Sequence, residues 1–313
     1  MRKPIVVVGS INLDLVVGAE RLPLSGETIT GNSFATFHGG KGANQAVAAA
    51  KLGYPVAMVG NVGNDAFGAE LRRGLESAGV DTENVRAVEN SSGVALITTG
   101  RQGENNIVVV PGANGRLTPE LLEKSAGTME RAGILLAQLE VPLETIEYLA
   151  EFAERHNIPL MLDPAPARDL PATLLRRLSW ITPNETEAKA LLPADIEDQG
   201  AGPGRAAERF VALGVENVIL KLGARGCLIA QRDMPELRVP AFSVAAIDTT
   251  AAGDAFNAGF AVALMRGVEI ERCAVFASAV AAISVTRPGA QPSMPTAAEV
   301  DTFLKSHSAH FSN

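Results

Sequence analysis

A chain of 313 residues, 47% hydrophobic and 20% charged, has enough apolar material for a substantial core without disulfide or metal staples. Its formal net charge of -8 offers no basic footprint for a nucleic-acid backbone. Glycine or charge interrupts every apolar run well before the roughly 20 residues a membrane helix needs, so neither nucleic acid nor a membrane is an expected partner. The first apolar run, 5–8, is broken at once by Gly9, Ser10, Asn12 and Asp14; it is too short for a signal peptide and reads as a strand. A helix over 43–52 and a second β-branched strand over 56–59 follow. Between the first strand and that helix, residues 13–38 alternate apolar and polar groups around turns at Leu22-Pro23 and Ser25-Gly26, as a half-exposed antiparallel sheet does. Strands at 94–98 and 107–110 extend that sheet, which falls within 13–38 and 93–111.

From residue 132 the rhythm is strand (134–136), helix (143–156), strand (160–162), helix (171–178), strand (180–182), helix (185–192), the signature of a parallel sheet. After the Gly-rich loop 200–204, a helix over 205–213 leads to a crossover strand, 218–222, and a hairpin partner, 227–230. Cys227 and Cys273 lack metal-ligand spacing and sit among apolar neighbours, as the reduced, buried thiols of a cytoplasmic protein do. Helix 254–266 puts Phe256, Phe260, Ala263 and Leu264 on one face, and the Ala/Val-rich segment 270–286 packs beside it. No fixed-period repeat interrupts the chain, which reads as one α/β domain over 1–313 with a small appended sheet. Ligands of such sheets gather at the carboxyl ends of the strands.

The strongest chemical signal is Asp248-Thr249-Thr250-Ala251-Ala252-Gly253-Asp254, a small-residue loop entering a helix. Backbone N–H groups of Ala251, Ala252 and Gly253 would face an anion, and the lack of bulk lets a phosphoryl group approach. A carboxylate there repels phosphate unless it takes a proton from an attacking hydroxyl, which gives Asp254 a reason as a base; the competing reading is a helix-capping Asp. A second signal is His38-Gly39-Gly40-Lys41-Gly42-Ala43-Asn44-Gln45. It is not a Walker A loop, because Ala35 stands where that motif has its first Gly and Gly42 where it has Ser or Thr. Backbone approach to a polyol, with Lys41 and Asn44 as donors, suits it; a tight structural turn explains the glycines alone. Asn12 and Asp14, two apart on an extended segment, point to one side, either toward sugar hydroxyls or as an Asx turn.

These segments resemble the two signatures of the ribokinase family, also called the PfkB carbohydrate kinase family. The similarity extends to Gly-Ser-Ile-Asn-Leu-Asp at 9–14, Asp-Pro-Ala-Pro-Ala at 163–167, Thr-Pro-Asn-Glu-Thr-Glu at 182–187 and Thr-Arg-Pro-Gly-Ala-Gln-Pro-Ser at 286–293. It implies a three-layer α/β/α fold, mostly parallel, with a small antiparallel β lid. It further implies ATP-dependent phosphorylation of D-ribose at O5, in which Asn12, Asp14, Gly40, Lys41, Asn44 and Glu140 hold the sugar and Asp254 is the base beside the anion hole of Ala251, Ala252 and Gly253. Asn184 and Glu187 match the Asn-x-x-Glu motif that organises Mg2+, Glu187 indirectly, and the nucleotide phosphates. Lys221, Gly223, Ala224 and Gly226 match the nucleotide loop, with Lys221 where the family commonly has Thr and Ala224 where it often has Ser; Ser278 stands at the adenine position. Asp248, Thr250, Ser284, Arg287, Gly289 and Ser293 match the monovalent-cation (K+) site, mostly through carbonyl oxygens. The lid, with Leu13, Val16, Phe34 and Phe37 as its apolar residues, would close over the sugar and pair with a second copy in a homodimer. The rivals are a kinase for deoxyribose, another sugar or a nucleoside; a non-catalytic sugar-binding regulator; and a nucleotide-dependent oxidoreductase, suggested only by Gly60-Asn61-Val62-Gly63 after a strand.

Overall fold

The first strand, β1 (Ile5–Val8), is buried at every residue, which requires both faces of its sheet to be covered. Ile5 and Val7 enter one apolar core while Val6 and Val8 enter another. This computed structural model describes residues 2–192 and 202–307; Met1 and, from the loop expected at 200–204, Gly200 and Ala201 lie outside them.

In chain order, β2 (Asn12–Gly18) and β3 (Ser33–Gly39) leave the main sheet, and α1 (Lys41–Lys51), β4 (Val56–Gly63), α2 (Ala66–Ser77) and β5 (Asp81–Val88) return to it. A second excursion comprises β6 (Gly93–Thr99) and β7 (Asn105–Val110). Then come α3 (Pro119–Glu123), α4 (Ala126–Met129), β8 (Ile134–Gln138), α5 (Leu143–His156), β9 (Leu160–Asp163), α6 (Ala172–Leu175), β10 (Trp180–Ile181) and α7 (Glu185–Leu191). The remainder is α8 (Pro203–Ala212), β11 (Asn217–Lys221), β12 (Cys227–Gln231), β13 (Leu237–Val239), α9 (Ala252–Met265), α10 (Ile270–Ser284) and α11 (Ala297–Ser306).

Among the described residues nine strands form one sheet, β13-β12-β11-β10-β9-β8-β1-β4-β5, and four form a smaller one, β3-β2-β6-β7. The large sheet is parallel except where β12 runs antiparallel to β11 and β13. Residues from α1, α2, α9, α10 and α11 fill the core on one face, and residues from α3 to α8 fill the other, giving three α/β/α layers. In the small sheet the outer pairings β2–β3 and β6–β7 are antiparallel, whereas the central pair β2–β6 is parallel.

Several sequence expectations change. The strand expected at 56–59 continues to Gly63, so Gly60-Asn61-Val62-Gly63 is ladder rather than a phosphate loop, and the oxidoreductase reading loses its support. The helix expected at 171–178 is one turn, because the Leu178 N–H donates to Leu175 O and the chain bends into β10. Leu13 is 1% exposed and belongs to the main core, not to an open lid face. Helix α2 and strand β5 carry weak periodicity: α2 buries Gly68, Leu71 and Leu75, and β5 is a polar edge strand of the kind that resists edge pairing.

Glycine seats α1 against the segment after β1. A Cβ on Gly40, whose φ is 86°, would lie 2.7 Å from the Asn12 nitrogen, and one on Gly42 would lie 2.7 Å from the Ser10 nitrogen. Both neighbours are backbone and cannot rotate away. Gly42→Ala is therefore expected to lower unfolding stability by about 1–3 kcal/mol, read as a lower urea midpoint at unchanged slope.

Candidate active site

The chain runs from β1 to β4 on one side, while β8 lies on the other, so the crevice beyond β1 and β8 is a topological switch point. Ser10 follows β1 and Glu140 follows β8. The Glu140 carboxylate accepts a short hydrogen bond from Ser10 Oγ and one of 3.1 Å from the Lys41 backbone N–H, tying both strand ends to the start of α1.

Helix α9 enters this crevice behind Ala251, which adopts a left-handed φ of 59°. Asp254 is 3% exposed. Its Oδ2 accepts from Asn44 Nδ2 at 3.0 Å and its Oδ1 from Gln45 Nε2 at 3.1 Å. The N-cap is Ala251, with no side-chain cap bond, so Asp254 is not the helix-capping residue the competing reading supposed. Burial pushes its carboxyl up to about 6; the Lys41 ammonium pulls it down, the Asp163 charge raises it, and the bonds from Asn44 and Gln45 lower it. Burial in turn works against the Lys41 ammonium, but Asp254, Asp163, Glu140 and Glu187 together outweigh it and raise its pKa. Ala252 departs from the expected row of free donors, since its N–H is bonded to Thr249 O at 3.2 Å.

Asn12 and Asp14 lie on β2, facing the glycines that precede α1. The Asn12 Oδ1 accepts from Asn114 Nδ2 at 2.7 Å, and Asn114 Oδ1 accepts the Ile11 N–H at 2.9 Å. A Cβ on Gly39 would strike Asp14 Oδ2 at 2.3 Å, so the glycine makes room for the carboxylate. Burial, aided by the Glu140 charge, pushes Asp14 up to about 7.

Sequence reasoning gave no role to Gln45, Gln138 or Asp163 in the layer beneath Asp254, and reached Lys221 only through the nucleotide loop. The Gln45 amide also donates to Asp163 Oδ2 at 3.3 Å, Gln138 Nε2 donates to Gln45 Oε1 at 2.8 Å, and Lys221 Nζ lies 2.9 Å from Asp163 Oδ1. Gln138, Asp163 and Lys221 each end a buried strand of the large sheet. A polar residue at the last position of an apolar run was the available signal. Asn114 had none, being 103 residues from the Ile11 backbone it braces.

The second group of predicted residues lies along the neighbouring strand ends. Asn184 caps α7 in a capping box with Glu187, and both Glu187 oxygens are engaged, by the Asn184 N–H at 2.7 Å and Nδ2 at 2.8 Å. Asn184 bridges in parallel to Lys221, whose N–H donates to Pro183 O at 2.9 Å. Gly223 and Ala224 form an exposed 3-10 turn. Gly226 closes it with φ 93°, where a Cβ would meet Val239 O at 2.0 Å. Ser278 is buried within α10.

Asp248 joins two loops, accepting the Thr250 N–H at 2.9 Å and the Gly289 N–H at 2.8 Å. Burial opposes its charge, but the hydroxyl and N–H of Thr250 and the N–H of Gly289 outweigh it and hold its carboxyl below the usual range. The Arg287 side chain pairs with Glu299 at 2.6 Å, and the Ser284 and Ser293 hydroxyls donate to Ala281 O and Ala290 O. The Ser284 carbonyl accepts the Arg287 N–H at 3.2 Å. Among the described residues no cluster of three His, Cys, Asp or Glu side chains could hold a metal, and no helix is long and apolar enough to cross a membrane. Cys227 and Cys273 are free and buried, and burial pushes their thiols up to about 12 and about 11.

The family model described as pfkB family carbohydrate kinase matches residues 2–297. A ribokinase of Haemophilus influenzae is 40% identical over 306 residues, covering 97% of this chain and 99% of the relative. A deoxyribokinase of Salmonella typhi is also 40% identical, over 96% of this chain and 98% of its own. The structure of an Arabidopsis thaliana ribokinase complexed with ribose and ATP superposes with a TM-score of 0.90 at 37% identity, covering 97% of this chain and 99% of that one.

Proposed function

We propose that this chain, which belongs to the pfkB family of carbohydrate kinases, is an ATP-dependent sugar kinase whose acceptor is D-ribose, phosphorylated at O5. The observation that carries the reading is the setting of Asp254: a buried carboxylate held by two neutral amides at the mouth of a helix N-terminus. Charge-neutral donors fix its orientation and leave it basic enough to take a proton.

In this reading the sugar lies between β2 and α1, held by Asn12, Asp14, Gly40, Lys41, Asn44 and Glu140. Asp254 accepts the proton of the 5-hydroxyl as its oxygen attacks the γ-phosphorus in line. The N–H groups of Ala251, Ala252 and Gly253 meet the charge on the transferred phosphoryl, which requires the Ala252 N–H to exchange Thr249 O for phosphate. The ammonium of Lys41 approaches from the α1 side. Asn184, Gly223, Ala224, Gly226 and Ser278 line the nucleotide side, with Lys221 at its γ-phosphate end. Magnesium supplies charge neutralisation between the phosphates. With both oxygens on Asn184, Glu187 would hold the hydrated ion indirectly, through water. Asp248, Thr250, Ser284, Arg287, Gly289 and Ser293 would supply oxygens for K+ around the two loops that the Asp248 carboxylate joins, the Ser284 carbonyl giving up the Arg287 N–H. The chain acts as one unit over 1–313, and its small sheet closes over the sugar to exclude water. Phe34, Leu96 and the exposed run Ile107, Val108, Val109 and Val110 give that sheet an apolar surface for a second copy.

The acceptor is tested by ADP release from MgATP in potassium buffer with D-ribose, 2-deoxyribose, fructose and adenosine. Ribose should exceed all others in kcat/KM. The second acceptor is 2-deoxyribose, because the deoxyribokinase relative is as similar as the ribokinase at 40% identity; its winning would replace the ribose assignment and keep the mechanism. Turnover of none would favour the sugar-binding regulator. Since the base must be ionised and burial raises Asp254 to about 6, kcat should fall as pH drops through about 6, a limb read from a pH–rate profile.

A further inference from the structure

Lys221 ends β11 with its ammonium under the first turn of α9. A Cβ built on Gly253 would stand 3.3 Å from Nζ, so the charge adjoins the backbone that faces the transferred phosphoryl in the reading above, on which this inference rests. Nζ is anchored 2.9 Å from Asp163 Oδ1. The root of the side chain is fixed as well, by the Lys221 N–H to Pro183 O at 2.9 Å and the bridge to Asn184.

The two partners differ in exposure. The Asp163 side chain is 3% exposed and that of Lys221 13%, so the carboxylate is sealed while the lysine side chain keeps some access to solvent. Asp163 also accepts from Gln45, which ties it to the amide that holds Asp254. An ion pair that only balanced charge would be an expensive way to fill this space, since a desolvated pair is often no better than an apolar one. An ammonium has three donor hydrogens and one is directed at Asp163, which leaves donors for an anion arriving at Gly253.

The geometry points to Lys221 as a catalytic cation: its ammonium, oriented by Asp163, donates to an equatorial oxygen of the phosphoryl group in flight, opposite the Lys41 side of the pocket. It keeps its protons throughout; the hydroxyl proton goes to Asp254, and ADP leaves with the electrons of the broken P–O bond. The contact forms in the transition state, so it lowers the barrier rather than tightening sugar binding.

The test compares the unmodified protein with Lys221→Met, Lys221→Arg, Asp163→Asn and the double variant Lys221→Met/Asp163→Asn. Kinetics use whichever sugar the unmodified enzyme turns over, and inhibition is measured by MgADP alone and by MgADP with aluminium fluoride, a mimic of the transferred phosphoryl. Lys221→Met should lower kcat by about 100-fold with the sugar KM within threefold. It should weaken inhibition by the fluoride complex to a similar degree while ADP alone changes little, and Lys221→Arg should recover part of both. Should Lys221→Met fail to fold, the double variant removes the buried pair as a unit, and its kcat must still fall about 100-fold relative to Asp163→Asn alone. Equal kcat and equal fluoride-complex inhibition in those two, or in Lys221→Met and the unmodified enzyme, would overturn the assignment and leave Lys221 as a neutraliser of Asp163. Acceptor turnover by the unmodified protein tests the kinase reading separately, before any variant is compared.

Discussion

Asp254→Asn is expected to reduce kcat by about 10³-fold, within the range for a lost general base, while sugar affinity stays within a few-fold. The amide matches the carboxylate in shape: its oxygen keeps the bond from Gln45, and its NH2 is accommodated when the Asn44 amide turns its unbonded Oδ1 toward it, but the amide cannot take the hydroxyl proton. Stability should move the other way. A carboxyl raised from 3.8 to about 6 by burial binds its proton more tightly folded than unfolded. Its charge therefore costs stability above about pH 6, and that cost is relieved as pH falls through 6 toward 3.8. Asp254→Asn removes the cost, so its melting temperature at pH 8 should equal or exceed that of the unmodified protein. A variant that lost activity by unfolding would melt lower.

Lys41→Met should do the reverse, damaging both stability and rate. The Lys41 ammonium faces Asp254, Asp163, Glu140 and Glu187, and its removal leaves buried carboxylates without their shared cation, a loss of about 3 kcal/mol or more. Because its folded pKa is raised above the unfolded 10.5, its stabilisation is fully present below that pH and fades only as pH rises through the folded value. The deficit should therefore be complete at neutral pH in urea unfolding. Lys41 also lowers the Asp254 pKa, so the acid limb of the rate profile should move above 6 in the variant. The rate at pH 7 should fall by about 100-fold and recover in part at higher pH as the base ionises.

Much of this arrangement is legible in the sequence, and the reason lies in backbone chemistry. Gly40 and Gly42 announce themselves because no side chain fits beside residues 9–12, although the sequence read them as room for a ligand when part of their duty is to seat α1 on β1. Asp254 was visible through the small residues that precede it. Gln45 stood next to Asn44 in the same motif and was passed over, since nothing local reveals that its amide reaches two carboxylates from strands and helices more than 100 residues away. The rhythm of apolar runs gave the parallel sheet, including the antiparallel turn at β12, because strands buried on both faces show as continuous hydrophobic stretches. It failed at β5, whose edge position lets charged residues alternate with Thr82 and Val85. In the small sheet, the parallel β2–β6 pairing joins segments separated by β3, α1, β4, α2 and β5, a register that no turn chemistry encodes.

The most direct test of the central claim is the product itself. Incubated with MgATP, K+ and D-ribose labelled with carbon-13 at C5, the protein should give a phosphomonoester whose phosphorus couples to the labelled carbon, at one equivalent of ADP per sugar consumed. A phosphate attached at C1, or ATP consumption without a phosphorylated sugar, would contradict transfer from ATP to the 5-hydroxyl at the Asp254 site.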